Sequence, residues 1–320
     1  MRVLFIGGSG EISFACIHEA VRLGHEVTVF NRGRNNAGLP EQCRFIAGDI
    51  ADDAAYGLLA AEHFDVVCQF RLFAPQAMQR DLALFTGRCG QYVFISSASA
   101  YAKPVRNLPI TEATPLHNPH WAYSRAKTTM ESLLRAQDRL AYTIVRPSHT
   151  YRARMPTPLG GEVSRLLRGR AVVVHGDGES LWTVTHARDF ARPFTRLLGA
   201  PEAQFEAYHI THDQQWSWNE IFEAIAAALG VNAPQWVHVA SDTLIRYNAE
   251  WEGPLLGDKS PSVRFDNSKV KAVVGEFSCP IGPWEGMRMV VEEFPPRADD
   301  YDAARDELYD RIIEEQNSLG

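Results

Sequence analysis

The sequence predicts a doubly wound α/β fold: a parallel sheet covered by helices on both faces, followed by a smaller α/β region. Three observations carry this. Six short apolar runs alternate with amphipathic stretches over the first half of the chain, and runs without polar alternation suit strands buried on both faces. A glycine-rich loop follows the first run directly. The stretches between runs are long enough for the crossover helices that parallel strands require.

The runs are Val3 to Ile6, Val27 to Phe30, Arg44 to Ile46, Val66 to Phe70, Tyr92 to Ser96 and Tyr142 to Val145. After Pro147 the texture changes to a loop rich in Arg, Pro and Thr, from Arg152 to Pro158. A short helix to Gly169, a strand at Val172 to Val174 and the turn Gly176-Asp177-Gly178 follow. A helix beginning near Arg188 and a strand at Tyr208 to Thr211 are expected to return to the sheet. Ser217 with Glu220 three residues on reads as a capping box, and Gly230 as that helix's stop. Near the end, Tyr301, Ala304, Leu308 and Ile312 are spaced for one face of a helix.

With 45% hydrophobic and 22% charged residues in 320, the chain is globular and not disordered. Its net charge is −7, and the stretch 297–320, with eight acids and three arginines, carries most of it. Neither nucleic acid nor an anionic membrane is favoured as a partner. No run approaches the ~20 apolar residues of a membrane span, and Val3 to Ile6 is too short for a signal-peptide core, so a cytoplasmic protein is expected. The five cysteines are odd in number and form no CxxC pair, which suits reduced thiols. The eleven histidines show no HExxH or HxxxH pattern, so no metal site is expected.

The loop after the first run reads Gly7-Gly8-Ser9-Gly10-Glu11-Ile12-Ser13 and opens a helix that ends at Gly24. Strand, glycine turn and helix N-terminus in succession bring backbone N–H groups to a pyrophosphate. This assigns Gly7, Gly10, Glu11 and Ile12 to a dinucleotide, with Ser13 small enough for close helix packing. Glu11 adds negative charge there and reads otherwise as a solvated first-turn acid. At the end of the second run, where an acid would hold the ribose hydroxyls, the chain has Asn31-Arg32-Gly33-Arg34. A missing carboxylate and an added guanidinium favour a 2′-phosphate, hence NADP, with NAD still open. Arg32 also reads as a solvated cation or as a partner stacked on adenine. In Gly48-Asp49-Ile50, Asp49 is placed either to accept from adenine or to cap the next helix.

Tyr123 and Lys127 stand at i and i+4 on one helix face, after a strand that leads into Ser96-Ser97-Ala98-Ser99-Ala100-Tyr101. A free phenol is a poor base at neutral pH, but a nearby ammonium and a positive nicotinamide together favour its phenolate. A serine hydroxyl can hold the substrate oxygen.

In these motifs the chain resembles the extended short-chain dehydrogenase/reductase family, whose members include nucleotide-sugar epimerases and dehydratases. The glycine loop, Gly48-Asp49, Ser97 before Tyr101, Tyr123 with Lys127, Arg146-Pro147, and Gly176-Asp177-Gly178 followed by His186 and Asp189 occur in the family's order. The resemblance implies a Rossmann-type domain over 1–150 with returns near 184–212, a substrate domain over 151–296 and an acidic C-terminal helix over 297–320. It implies Tyr123 as general base, Lys127 as the group that lowers its pKa and holds the nicotinamide ribose, and Ser97 as the residue orienting the reacting hydroxyl. Ile50 and Pro147 are placed against the cofactor, and Ser99 near the substrate. The partner is a small sugar-like molecule handled through a transient ketone, and a homodimer is compatible with this. The rivals are an NADPH-dependent ketone reductase and a non-catalytic nucleotide sensor.

The departures concern the substrate. Where sugar-nucleotide members carry an Asn and an Arg toward the diphosphate, this chain has His149 and Trp182. Indole carries no charge, so the expectation is a neutral sugar, glycoside or nucleoside ring against Trp182, with Arg152, Arg154 and Arg165 as other routes to a phosphate. Ala98 and Ser99 replace the Asp-Glu pair of the 4,6-dehydratases. His149 or Glu11 stands in as an acid, or His149 is a buried structural residue.

Overall fold

The computed structural model describes residues 1–318. All six apolar runs are strands: β1 (Arg2–Ile6), β2 (Glu26–Asn31), β3 (Arg44–Ala47), β4 (Phe64–Gln69), β5 (Cys89–Ile95) and β6 (Tyr142–Pro147). A further strand, Glu206–Ile210, pairs with β6, and the sheet runs in the order 206–210, β6, β5, β4, β1, β2, β3 with every pair parallel. In β1, Val3 pairs with Val27 on one side and Val66 on the other. Residues 3 to 5 are fully buried, which explains why the central strands are apolar at successive positions. The edge strand β3 is largely exposed and keeps charge at Arg44.

One face of the sheet is covered by helix Ser13–Arg22 and helix Ala187–Leu197, which pack on each other around Ile17, Phe190 and Phe194. The other face is covered by helices Pro75–Phe85 and Ala122–Arg135, with Met78, Phe85, Met130 and Leu134 in its core. A third core surrounds Trp182 and Trp218. There, three small strand pairs join 149–151 to 184–186, 172–175 to 236–239, and 181–182 to 216–217. The capping box of Ser217 and Glu220 is formed in both directions.

The C-terminal helix spans Ala303–Asn317, and its packed face includes the predicted Leu308 and Ile312 but not Tyr301 or Ala304. Tyr301 precedes the helix and Ala304 is exposed, while Asp306, Tyr309 and Ile312 are buried. Charge and apolar burial dock it together. Asp306 is gripped by Arg165, Arg168 and Arg170. Hydrogen bonds from Arg168 and then Arg165 hold its carboxyl at about 2. Arg165 is thereby used up inside the fold, 2% exposed, and is no route to a phosphate. No helix of the described residues is long and apolar enough to cross a membrane.

Candidate active site

A cavity of about 700 Å³ lies over the carboxyl ends of the six strands β1 to β6, where an open α/β sheet reverses its strand order and binds ligands. The residues expected at the cofactor, the reacting hydroxyl and the substrate ring line it, whereas Arg152, Arg154 and Arg165 do not. Gly7, Gly10, Glu11, Ile12, Asn31, Arg32, Asp49 and Ile50 come from the β1–β2–β3 side. Ser97, Ser99, Tyr123, Lys127, Pro147, His149 and Trp182 come from the β5–β6 side and the elements above it.

At the first strand end, Gly7 has φ +92°, and a side chain there would meet Arg71 Cγ at 2.8 Å. Gly8 is closed to a side chain by Val29 Cγ1 at 2.7 Å. The loop therefore turns as tightly as a backbone cradle for a pyrophosphate requires. Gly10 N donates to Ser13 Oγ at 3.2 Å, and Ser13 is buried beneath.

Glu11 is not the solvated acid of the alternative reading. Its Oε2 accepts from the backbone N–H groups of Arg152, Ala153 and Arg154 at 2.8, 2.7 and 3.3 Å, so its charge is spent on a distant loop. Arg152 beside it lies over the Phe14 and Phe294 rings. Asn31 braces its own turn, accepting from Gly33 N at 2.7 Å and donating to Asn36 Oδ1 at 2.7 Å. Arg32 and Arg34 are exposed and have no ion pair among the described residues. Asp49 accepts from Ala51 N at 3.0 Å, and the cap of the next helix is Asp52 instead.

On the other side, Tyr123 and Lys127 lie one turn apart on helix Ala122–Arg135. Lys127 Nζ donates to the carbonyls of Leu72 and Ile95, both at 2.8 Å, 5.6 Å from the Tyr123 ring centre. Burial brings its ammonium down to about 7. In the cofactor-free protein the Tyr123 phenol lies above its ordinary value. Burial pushes it up to about 12, opposed by the Ser97 hydroxyl and assisted by the negative charge of Asp258. Without a positive nicotinamide nearby, this phenol is a proton donor. Ser97 Oγ is 2.8 Å from Ser99 Oγ, which accepts from Ser124 Oγ at 2.7 Å, so a short chain of hydroxyls runs from the cavity wall into the helix.

A buried polar network behind these residues fixes their positions. Ser96 Oγ donates to Glu131 Oε1 at 2.6 Å, and Arg146 holds the same carboxylate through two contacts at 2.9 and 2.5 Å. Arg146 also donates to the Tyr101 hydroxyl at 3.1 Å. That hydroxyl donates to Nδ1 of His209 at 2.9 Å, because His209 Nε2 must donate to the Asp266 carbonyl at 2.7 Å. The end of β5, the Tyr123 helix, β6 and strand 206–210 are thus tied together. Glu131 was missed in the sequence, although its i+4 spacing from Lys127 was visible.

The substrate side differs from its expected character. His149 is half-buried, and burial with the Lys259 charge lowers it to about 3, so it is neutral and not a ready acid. Trp182 is 2% exposed and stacked on Trp218 at 5.9 Å, which leaves no open ring face. Its Nε1–H and the Thr150 hydroxyl, both at the cavity, are buried without a partner among the described residues. A half-buried aromatic ring in this wall is Trp121, 4.9 Å from the Tyr123 ring. The wall is not neutral either, because Lys103, Asp258 and Lys259 line it. Nothing in the sequence separates these lysines from surface ones, since chain positions 103 and 259 meet only in the fold.

The tight glycine turn, the open first turn of helix Ser13–Arg22, the unpaired Arg32 and Arg34, and the unsatisfied donors at the far wall together fit a nicotinamide dinucleotide. The chain is 28% identical to the 2′-dehydrokanamycin reductase of Streptomyces kanamyceticus over 244 residues, 72% of this chain and 67% of that protein. It is 27% identical to chloroplast stem-loop binding protein of 41 kDa b of Arabidopsis thaliana over 252 residues, 74% of this chain and 65% of that one. The matches thus span about two thirds of each relative's length. The fold is that of UDP-glucose 4-epimerase from Thermotoga maritima, determined with UDP-glucose (TM-score 0.73, 21% identity, 91% of this chain and 98% of that one). It is also that of Thermus thermophilus UDP-glucose 4-epimerase in complex with NAD (TM-score 0.71, 21% identity, 92% and 99%). A family model matches residues 3–211, well over half of the chain, which therefore belongs to the NAD dependent epimerase/dehydratase family.

Proposed function

We propose that this chain transfers hydride between NADP and a carbinol carbon of a sugar or sugar-like substrate, with Tyr123 moving the accompanying proton. When bound, the nicotinamide supplies the hydride acceptor or donor. Arg32 and Arg34 would hold its 2′-phosphate, the glycine loop its pyrophosphate, and Lys127 its ribose. Ser97 Oγ orients the substrate oxygen, and Tyr123 Oη exchanges a proton with that oxygen while Trp121 excludes water beside it. The observation that carries the reading is one cavity that joins Tyr123, Lys127 and Ser97 to the glycine loop.

A transient ketone is the branch point between epimerisation, dehydration and net redox chemistry. Net reduction is the second reading, in which the Tyr123 phenol gives its proton to a ketone oxygen as hydride arrives at the carbon. The family's acid pair for 4,6-dehydration is replaced by Ala98 and Ser99, and the neutral His149 supplies no proton in its place. The test is to denature the purified protein, identify the released nucleotide by mass, and follow NADPH absorbance with ketosugars. Release of NADP and turnover that is lost in Tyr123→Phe support the proposal. Stoichiometric NADPH consumption identifies the reductive branch, and a protein that retains and binds no nicotinamide nucleotide refutes the whole reading.

A further inference from the structure

The cavity holds two cations that proton and hydride transfer do not use. Lys103 is 4% exposed and Lys259 7%, both in its wall. Lys259 Nζ donates to Asp258 Oδ2 at 3.0 Å. Lys103 has no ion pair among the described residues; burial and then the Lys259 charge lower its pKa, and the charge of the same Asp258 opposes them. One carboxylate thus serves two buried ammonium groups, and an excess positive charge in so dry a place is costly unless an anion meets it.

The arrangement is built and not a chance of flexible side chains. The Lys259 carbonyl accepts from Trp218 Nε1 at 2.9 Å and lies 3.3 Å from His175 Nε2. Asn118 Nδ2 donates to both the Gly257 and Ser99 carbonyls, at 2.6 and 2.7 Å, bolting this turn to the serine segment. Gly253 is pressed so closely on Trp121 that a methyl group there would fall 2.2 Å from its ring. Lys259 Nζ is 5.7 Å from the Trp121 ring centre, and that ring neighbours Tyr123. Lys259 therefore sits beside the reacting centre, and Lys103 shares the same cavity wall.

We propose that Lys103 and Lys259 receive an acidic group, carboxylate or phosphate, carried on the substrate's own ring near the carbon that reacts at Tyr123. The substrate class is then an acidic sugar-type molecule. This rests on the function proposed above and narrows it.

The test uses the full chain saturated with NADP and follows tryptophan fluorescence during titration with glucuronate, glucose 6-phosphate, glucose and glucosamine. At least one of the two acids should bind tenfold or more tightly than glucose, and which one does separates carboxylate from phosphate. Lys103→Gln and Lys259→Gln should each abolish that preference with NADP affinity intact, and Lys103→Arg should retain it. Equal response to all four probes, including none, overturns the proposal. So does a preference for glucosamine, which would make Asp258 the anchor, or a preference that survives both glutamine variants. Failure of NADP itself to bind is a separate outcome and defeats the underlying function.

Discussion

The Glu11 carboxylate accepts a hydrogen bond from the backbone N–H of Ala153 at 2.7 Å, across 142 positions of sequence. With the neighbouring N–H groups of Arg152 and Arg154 it forms a small anion cradle whose anion is a side chain. The nucleotide loop is thereby tied to the loop that follows strand 149–151.

Removing that acceptor leaves three backbone donors to find water. Glu11→Ala is expected to lower stability by about 1–3 kcal/mol, the usual cost of unsatisfying a charged hydrogen-bond acceptor site. Chemical denaturation of both proteins checks this. An unchanged midpoint and slope would show that the two loops are held together by other contacts.

Cofactor choice rests on Arg32. Wild type should bind NADP more tightly than NAD, and Arg32→Ala should lose roughly 1.5–3 kcal/mol of that preference with NAD affinity nearly unchanged. Calorimetry with both nucleotides decides it, and equal binding of the two by wild type would reverse the assignment.

The pH dependence of stability should carry the signature of Lys127. Burial lowers its folded value to about 7, against about 10.4 in an unfolded chain. Below the folded value both states are protonated and the full burial cost is present. Between the two values the unfolded state alone holds the proton, so this group makes stability rise with pH, by up to about 1.4 kcal/mol per unit. Thermal melts of the cofactor-free protein from pH 7 to 10, compared with Lys127→Met, should show the rise only in wild type.

Glu131 and Arg146 form a pair with almost no exposure. Glu131→Gln should cost about 3–5 kcal/mol, because it strands a buried guanidinium. The same variant should weaken turnover, since Ser96 and the end of β5 lose their tether. A stability change below 1 kcal/mol would mean that Tyr101 alone satisfies Arg146.

Much of this molecule was legible in the sequence because its central strands are buried on both faces and so read as unbroken apolar runs. The glycine loop and the Tyr123–Lys127 pair were legible because their spacing is local. What escaped is what the fold alone brings together. Glu11 looked solvated because its three donors lie at 152–154. Trp182 looked like an open platform because its burial against Trp218 depends on a strand pairing with 216–217. The C-terminal helix packs Leu308 and Ile312 as read from their spacing, but Tyr301 and Ala304 stay exposed while Asp306 docks into three arginines, a preference that apolar periodicity does not register. The raised pKa of the free Tyr123 phenol was not legible for the same reason, since it follows from burial and from Asp258.

The most direct measurement is an ultraviolet difference titration of the phenolate of Tyr123, wild type against Tyr123→Phe, with and without NADP. In the free protein this phenol should stay protonated up to about 12. Bound oxidised cofactor should bring a single phenolate down into an accessible alkaline range in wild type and not in Tyr123→Phe. A titration that NADP leaves unchanged, or one altered equally in both proteins, would contradict a shared site for Tyr123 and the nicotinamide.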